Sequence, residues 1–277
     1  MSNKYQYETI KVEISSDGVA HIQLNRPKKL NTLSPQLISD IRSVFSTITD
    51  DYDVLSIVLS GTGKVFTAGL DLSDTEIGKL TTNELDTARK TYRNRPMIKD
   101  FQDAFTAIEL CSKPVIVAIH GACIGGGVDL VTACDIRYCS KDAFWSVKEV
   151  DVGLAADVGT LQRLPKVIGN HSLVRELCYT ARNIYADEAL QCGLVNKVLE
   201  NRETLLAEAM KTAKIIASKS PVAILSTKHL LNYSRDHSVS EGLSYTVTWN
   251  SAMLQTEDIP KSIEAFVTKK AAKYSKL

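Results

Sequence analysis

The apolar residues follow two rhythms. Ile10, Val12 and Ile14 alternate with polar residues, Ser15-Ser16-Asp17-Gly18 interrupts, and an apolar stretch resumes over 19–24. Alternation with a period of two, broken by a turn, predicts a β-hairpin. Beyond Asn25-Arg26-Pro27 the period lengthens. Leu37, Ile41, Val44, Phe45 and Ile48 recur at helical spacing behind Ser34-Pro35, a capping residue followed by the residue suited to the first helical position. Residues 54–59 read as a buried strand, Gly61-Thr62-Gly63 as a turn and 67–72 as a loop. Residues 73–100 are polar and charged with little apolar periodicity, and are expected to form a variable surface segment. Helical spacing resumes over 101–111.

The next apolar run, 115–119, is short and β-branched and lies between Pro114 and Gly121, which predicts a buried strand. Gly125-Gly126-Gly127 follows, and then helical spacing through Val128, Leu130, Val131 and Ala133. Residues 136–139 and 143–147 read as short strands, 158–167 and 172–180 as helices, 186–190 as a short helix stopped by Gly193, and 194–199 as a strand. After Glu203 only helical patterns remain: Leu205, Ala209 and Ala213 share a face, Pro221 and Ser238 open further helices, and Ile259-Pro260 is expected just before the last. Strands and helices alternate to about residue 200 and helices follow. The expected division is a core over 1–200 and a helical region over 201–277.

Chemistry concentrates between His120 and Asp157. A strand, a glycine turn and a helix start leave backbone N–H groups without intrahelical acceptors, at the positive end of the helix dipole. Such a site holds a phosphate, a carboxylate or a developing oxyanion. Asp129 lies one turn into that helix, and Glu149 and Asp157 follow in an apolar, glycine-containing segment. An isolated acid is most often a cap, an ion-pair partner or a solvated group. Clustered acids in apolar surroundings are different, because their pKa values rise and one of them holds a proton near neutrality. That is the pairing general acid–base chemistry needs. Asp71, Asp135 and Asp151 read as structural, and His120 as a packing or turn residue. The triple glycine lacks both the Lys-Ser/Thr of a P-loop and the spacing of a dinucleotide fingerprint.

Composition narrows the field. A net charge of +1, from 33 basic and 32 acidic residues, provides no global field for nucleic acid or a membrane surface. The six cysteines show neither CxxC pairs nor zinc-ligand spacing and read as reduced core residues. No metal site is expected. No apolar run approaches transmembrane length, and the first residues lack an apolar signal core.

The segments LNRPKKLNTL, FTAGLDL, KPVIVAIHGACIGGGVDL, ACDIRY, GTLQRLPKVIG and ADEALQCGLV together resemble the crotonase, or enoyl-CoA hydratase/isomerase, family. VKEVDVGLAADVGTLQRLP, with its third acid at Asp157, is similar to the dienoyl-CoA isomerase branch, as are SRDHSVSEGL and TWNSAMLQT. The resemblance implies an α/β spiral of ββα units, C-terminal helices that assemble homotrimers or hexamers, an acyl-CoA substrate and no further cofactor. It places the thioester oxygen on the backbone amides of Leu70 and Gly126, and the CoA site along Lys29, Ala68, Gly69, Leu70, Asp71 and Gly126. Phe266 and Lys269, expected on the last helix, would reach a CoA held by a neighbouring subunit; a solvated basic tail is the plain alternative.

The resemblance casts Glu149 as base at C2, Asp157 as proton donor at C6 and Asp129 as the acid tuning the pair. Hydratases of the family carry glutamate at both of the first two positions, so Asp129 departs from their pattern. Enoyl-CoA hydration is the nearest rival. A non-catalytic acyl-CoA- or RNA-binding member is a second one, opposed by the three acids and the near-zero charge. Ser275-Lys276-Leu277 matches the peroxisomal address. It implies an import receptor as partner and requires a free tail, expected to fray from the last helix.

Overall fold

The computed structural model describes residues 3–72 and 85–277. The hairpin forms as expected: β1 (Ile10–Ile14) pairs antiparallel with β2 (Val19–Leu24). Helix α1 (Pro35–Thr49) follows, with the Ser34 side chain accepting from the Leu37 N–H and Pro35 in the first turn. β3 (Ser56–Gly61) is buried throughout.

Helix α2 spans Thr87–Leu110, so helix replaces much of the expected surface segment; the remainder, 73–84, lies outside the described residues. The sequence misleads here for a physical reason. Only Ala104, Phe105, Ile108 and Glu109 of α2 are buried. Met97, Ile98 and Phe101 share a face at helical spacing, but that face borders a cavity.

β4 (Val115–Ile119) is followed by β5 (Ala122–Ile124) and α3 (Gly126–Thr132). Then come β6 (Ile136–Ser140), β7 (Phe144–Ser146), α4 (Thr160–Ile168), α5 (His171–Thr180), β8 (Ile184–Tyr185), α6 (Ala186–Gln191) and β9 (Lys197–Leu199). Two sheets result. The larger has the order β1-β2-β3-β4-β6-β9, parallel after the first pair; the smaller has the order β5-β7-β8. β4 with β5, and β6 with β7, each send one strand to the large sheet and the next to the small one, which is the expected spiral. β5 and β8 are too short to register as periodic patterns.

Helix α7 (Arg202–Ala217) packs Leu205, Ala209 and Ala213 against Val19, Val58, Ile116 and Tyr138 on the outer face of the large sheet. α8 (Pro221–Ser234), α9 (Val239–Met253) and α10 (Asp258–Thr268) project beyond it. The last helix differs from expectation at both ends. It starts before Ile259-Pro260, because proline fits the first turn, where no intrahelical N–H bond is lost. It stops at Thr268, with Lys269 in the left-handed region, so Lys269, Lys270 and Lys273 lie beyond it. The tail does not simply fray: the Tyr274 hydroxyl lies 2.8 Å from that of Ser262, and Lys276 pairs with Asp53.

Candidate active site

Asn31 fixes the loop after β3. It is fully buried, and its side-chain amide donates to the carbonyls of Thr62, Val65 and Phe66 at 2.7, 3.1 and 3.1 Å. Thr67 donates to the Asn31 carbonyl at 2.7 Å and accepts from the Gly69 N–H. Parallel bridges, Leu33 to Leu70 and Thr67 to Cys123, lay this loop beside the start of α1 and beside β5. The chain then turns at Gly125, whose φ of +52° favours glycine, and enters α3. The Gly126 N–H is the first of that helix and has no intrahelical acceptor. The Leu70 N–H has no partner among the described residues.

Both residues line a cavity of about 990 Å³. Its walls come from α1 (Pro35, Ile38, Arg42), α2 (Asn94, Met97, Ile98, Phe101), the two loops just described, and the segment 148–158. Of the acids singled out by sequence, Glu149 and Asp157 stand in the wall. Asp129 lies behind it, fully buried, with Oδ1 accepting the Thr160 N–H and Oδ2 without a partner. Glu149 Oε2 is likewise buried and unpaired. Burial pushes Asp129 up to about 6, against the hydrogen bonds of Thr160 and the charge of Arg163. Burial, then the charges of Asp129 and Asp157, push Glu149 up to about 7. Asp157 is also raised by burial, and its carbonyl accepts from the Gln102 side chain at 2.7 Å. Two acids are thus poised near neutrality beside two free amides.

Ala68, Gly69 and Leu70 line the cavity. Asp71 instead accepts from Arg26 at 3.1 Å and Thr32 at 3.0 Å, tying the loop to the start of α1. Lys29 is exposed outside the wall, and Phe266 and Lys269 lie exposed at the end of α10, away from the cavity of this chain. Asp135 and Asp151 pair with Lys228 and Lys148, and His120 contacts the Gly63 carbonyl, all in keeping with structural roles. The cysteines are free thiols, all but Cys192 buried. Among the described residues no group of three His, Cys, Asp or Glu is placed to hold a metal, and no helix is long and apolar enough to cross a membrane. Sequence reasoning missed Thr160, Arg163 and Glu109. Their one signal was an arginine set within the apolar GTLQRLP turn.

Residues 14–276 match the family model described as enoyl-CoA hydratase/isomerase. A Homo sapiens protein named mitochondrial Δ(3,5)-Δ(2,4)-dienoyl-CoA isomerase is 53% identical over 99% of this chain and 84% of its own length. An Arabidopsis thaliana protein of the same name, described as peroxisomal, is 44% identical over 98% of both chains. The solved enoyl-CoA hydratase from Bacillus anthracis superposes with a TM-score of 0.87 at 29% identity, covering 96% of this chain and 99% of that one.

Proposed function

The chain belongs to the enoyl-CoA hydratase/isomerase family, and we propose that it shifts 3,5-dienoyl-CoA to 2,4-dienoyl-CoA in the breakdown of unsaturated fatty acids. The relatives named for that reaction support the activity. One observation carries the mechanism: Glu149 and Asp157 share the wall of a mostly apolar cavity with two amides free to receive an oxyanion.

The thioester oxygen sits on the Leu70 and Gly126 N–H groups, with Ala68 and Gly69 beside it. Glu149 takes the proton from C2. The electron pair delocalises from C2 over the conjugated system to C4 and C6 as a trienolate, its oxygen charge held by the two amides. Asp157 delivers a proton to C6, leaving double bonds at C2 and C4. A base titrating near 7 is matched to neutral pH, and the raised Asp157 is a better proton reservoir than a solvated aspartate. Exposed on its outer side, Asp157 recovers its proton from water, and Glu149 returns its own. Asp129 acts on Glu149 through its charge. Fully buried behind the wall, Asp129 cannot share a water with Glu149 as the second glutamate of a hydratase would, which disfavours hydration. No step requires a cofactor beyond the thioester.

Residues 201–277 serve oligomerisation through α8–α10, since α7 is committed to the sheet, and the product is a homotrimer or hexamer. In it, Phe266 and Lys269 would approach the CoA of a neighbour, with Lys29 and Asp71 near the CoA of their own chain. Where Ser275-Lys276-Leu277 stands at a free terminus, it addresses the protein to peroxisomes through an import receptor. The tail must then give up its Ser262 and Asp53 contacts. A fusion ending at Tyr274 that localises like the complete one would sink that assignment.

The test of activity is incubation with 3,5-dienoyl-CoA and, separately, 2-enoyl-CoA. The expected products are the 2,4-dienoyl thioester and little 3-hydroxyacyl thioester. The reverse ratio would establish a hydratase. Asp157→Asn should slow isomerisation by about 10²–10⁴ while acyl-CoA affinity stays near wild type.

A further inference from the structure

Behind the acids stands a group of charged side chains that the reaction above does not use. Arg163 on α4 donates to Glu109 Oε2 on α2 from Nε at 3.0 Å and Nη2 at 2.8 Å, and to Thr106 Oγ1 at 3.1 Å. Arg235, at the end of α8, pairs with the other oxygen of Glu109. Burial pushes the Glu109 carboxyl up, but the two guanidinium groups outweigh it and hold it below the usual range. The side chains of Glu109 and Arg163 are only 10% and 11% exposed. Next to Arg235, Asp236 pairs with Lys166, also on α4. The end of α8 is therefore tied by charge to both α2 and α4.

Helix α4 begins at the acid site. Gly159 precedes it with φ +142°; a side chain there would overlap Arg163 Nη1 and come within 3.9 Å of Asp129 Oδ1. The guanidinium and the carboxylate thus lie within about 6 Å of each other, the range over which opposite charges act strongly on each other's ionisation. Thr160, the first residue of the helix, supplies the N–H that holds Asp129. An arginine whose fork closes on one carboxylate oxygen and a hydroxyl fixes an orientation and a charge at once.

We propose that Arg163, held by the Glu109 carboxylate that Arg235 also engages, is a positioning residue: it pins the first turn of α4 so that the Thr160 amide and its own charge keep Asp129 an anion behind Glu149. The proposal rests on the reading of Glu149 as the base. Its consequence is a charge relay from α8 to the reaction centre. The anionic Asp129 strengthens Glu149 as a base; a protonated Asp129 does not. The other titratable groups facing Asp129 are the thiols of Cys123 and Cys178, both held protonated by burial.

The test compares Arg163→Met, Arg163→Lys and Arg235→Gln with wild type. Two quantities are measured: the pH profile of kcat/KM, and the titration of carbon-13-labelled carboxyl groups in the substrate-free protein. In Arg163→Met the Asp129 carboxyl should titrate higher, Glu149 should titrate lower, and the acidic limb should move down by about one pH unit. Turnover at pH 7 should fall by up to about tenfold as the base weakens. Arg163→Lys, which keeps the charge but not the fork, should restore most of the profile. Should Arg163→Met not fold, Arg235→Gln carries the test, with a smaller shift in the same direction. A folded variant with lower turnover but an unmoved acidic limb and unmoved carboxyl titrations would overturn the proposal, because Arg163 would then be only a brace. Glu149→Gln separates the two readings. If it keeps wild-type turnover, the base assignment itself falls; if it is inactive while Arg163→Met leaves the profile unmoved, only this inference falls.

Discussion

The acid site and the C-terminal helices leave opposite kinds of group without partners. Around α3 and α4 the unsatisfied atoms are polar: Asp129 Oδ2 and Glu149 Oε2, both buried, and the amides of Leu70 and Gly126 in the cavity wall. On α9 and α10 they are apolar and exposed: Leu243 at 64%, Val247 at 69% and Phe266 at 86%. A buried polar atom without a hydrogen bond costs on the order of 1–3 kcal/mol, and exposed apolar surface forgoes about 25 cal/mol per Å². Each region is unfinished in the currency of what completes it. Under the proposed function the first would receive a thioester with a developing negative charge, and the second the apolar face of another copy.

The sharpest way to break this comparison is to remove the polar function and keep the shape. Glu149→Gln retains volume and one acceptor oxygen but cannot take a proton. Turnover of the dienoyl thioester should fall by about 10²–10⁴, with the affinity for a substrate analogue measured by calorimetry nearly unchanged. Wild-type turnover would place the base elsewhere.

Next in size is Gly126→Val. Its Cβ would meet Leu33 Cδ1 at 2.8 Å, the flexible end of a side chain, so the fold should yield and survive. The added branches would crowd the amide that receives the oxyanion. Loss of one such donor costs about 3–4 kcal/mol in the transition state, a fall in kcat of about 10²–10³. Normal turnover by folded Gly126→Val would show that this amide is not used.

The two regions also differ in how well the sequence revealed them. The glycine turn and the three acids were visible because chain neighbours define them: a strand, three glycines and acids among apolar residues. The alternation of strands and helices marked an α/β core, while the spiral was implied by the family resemblance alone. What stayed hidden depends on distant partners. Glu109 and Arg163 are 54 positions apart, and neither has a local pattern that announces the other. Helix α2 was hidden for a different reason, since Met97, Ile98 and Phe101 spend their periodicity on a cavity wall. At the C-terminus the capping signals at Pro221 and Ser238 located α8 and α9, but the end of α10 was missed, because Lys269 to Lys273 continue a plausible helical stripe while Lys269 takes a left-handed turn.

A third prediction measures what the unfinished acid site costs the fold. Asp129 titrates at about 6 in the folded chain against an ordinary 3.8. The folded state therefore binds this proton more tightly than the unfolded one. The contribution is fully present below about pH 4 and lost as pH rises through about 6. Asp129→Asn keeps an oxygen for the Thr160 N–H and removes the charge. It should be more stable than wild type at pH 8, by about 2 kcal/mol after allowing for relaxation, and should lose that advantage at pH 4. Denaturant unfolding at the two pH values reads this directly, and an equal difference at both would mean that the Asp129 charge is not what strains the site.

The smallest effect on chemistry is expected from the other region. Leu243→Glu places a charge in the middle of the exposed apolar face of α9, where burial against a neighbour would leave the charge unpaired. Within one chain the side chain is already in water, so the cost to the fold should stay within about 0.5 kcal/mol. Sedimentation should show dissociation of the oligomer into folded single chains. The acids belong to one chain and the Arg235–Glu109–Arg163 chain of contacts is internal to it, so kcat and its acidic limb should hardly move. KM for the acyl-CoA should rise severalfold, because Phe266 and Lys269 of a neighbour would no longer reach the CoA. An oligomer that survives the charge would mean that α9 is not the contact. Dissociation with a collapsed kcat would mean that the reaction centre is completed by the assembly after all, and that the two unfinished regions are one.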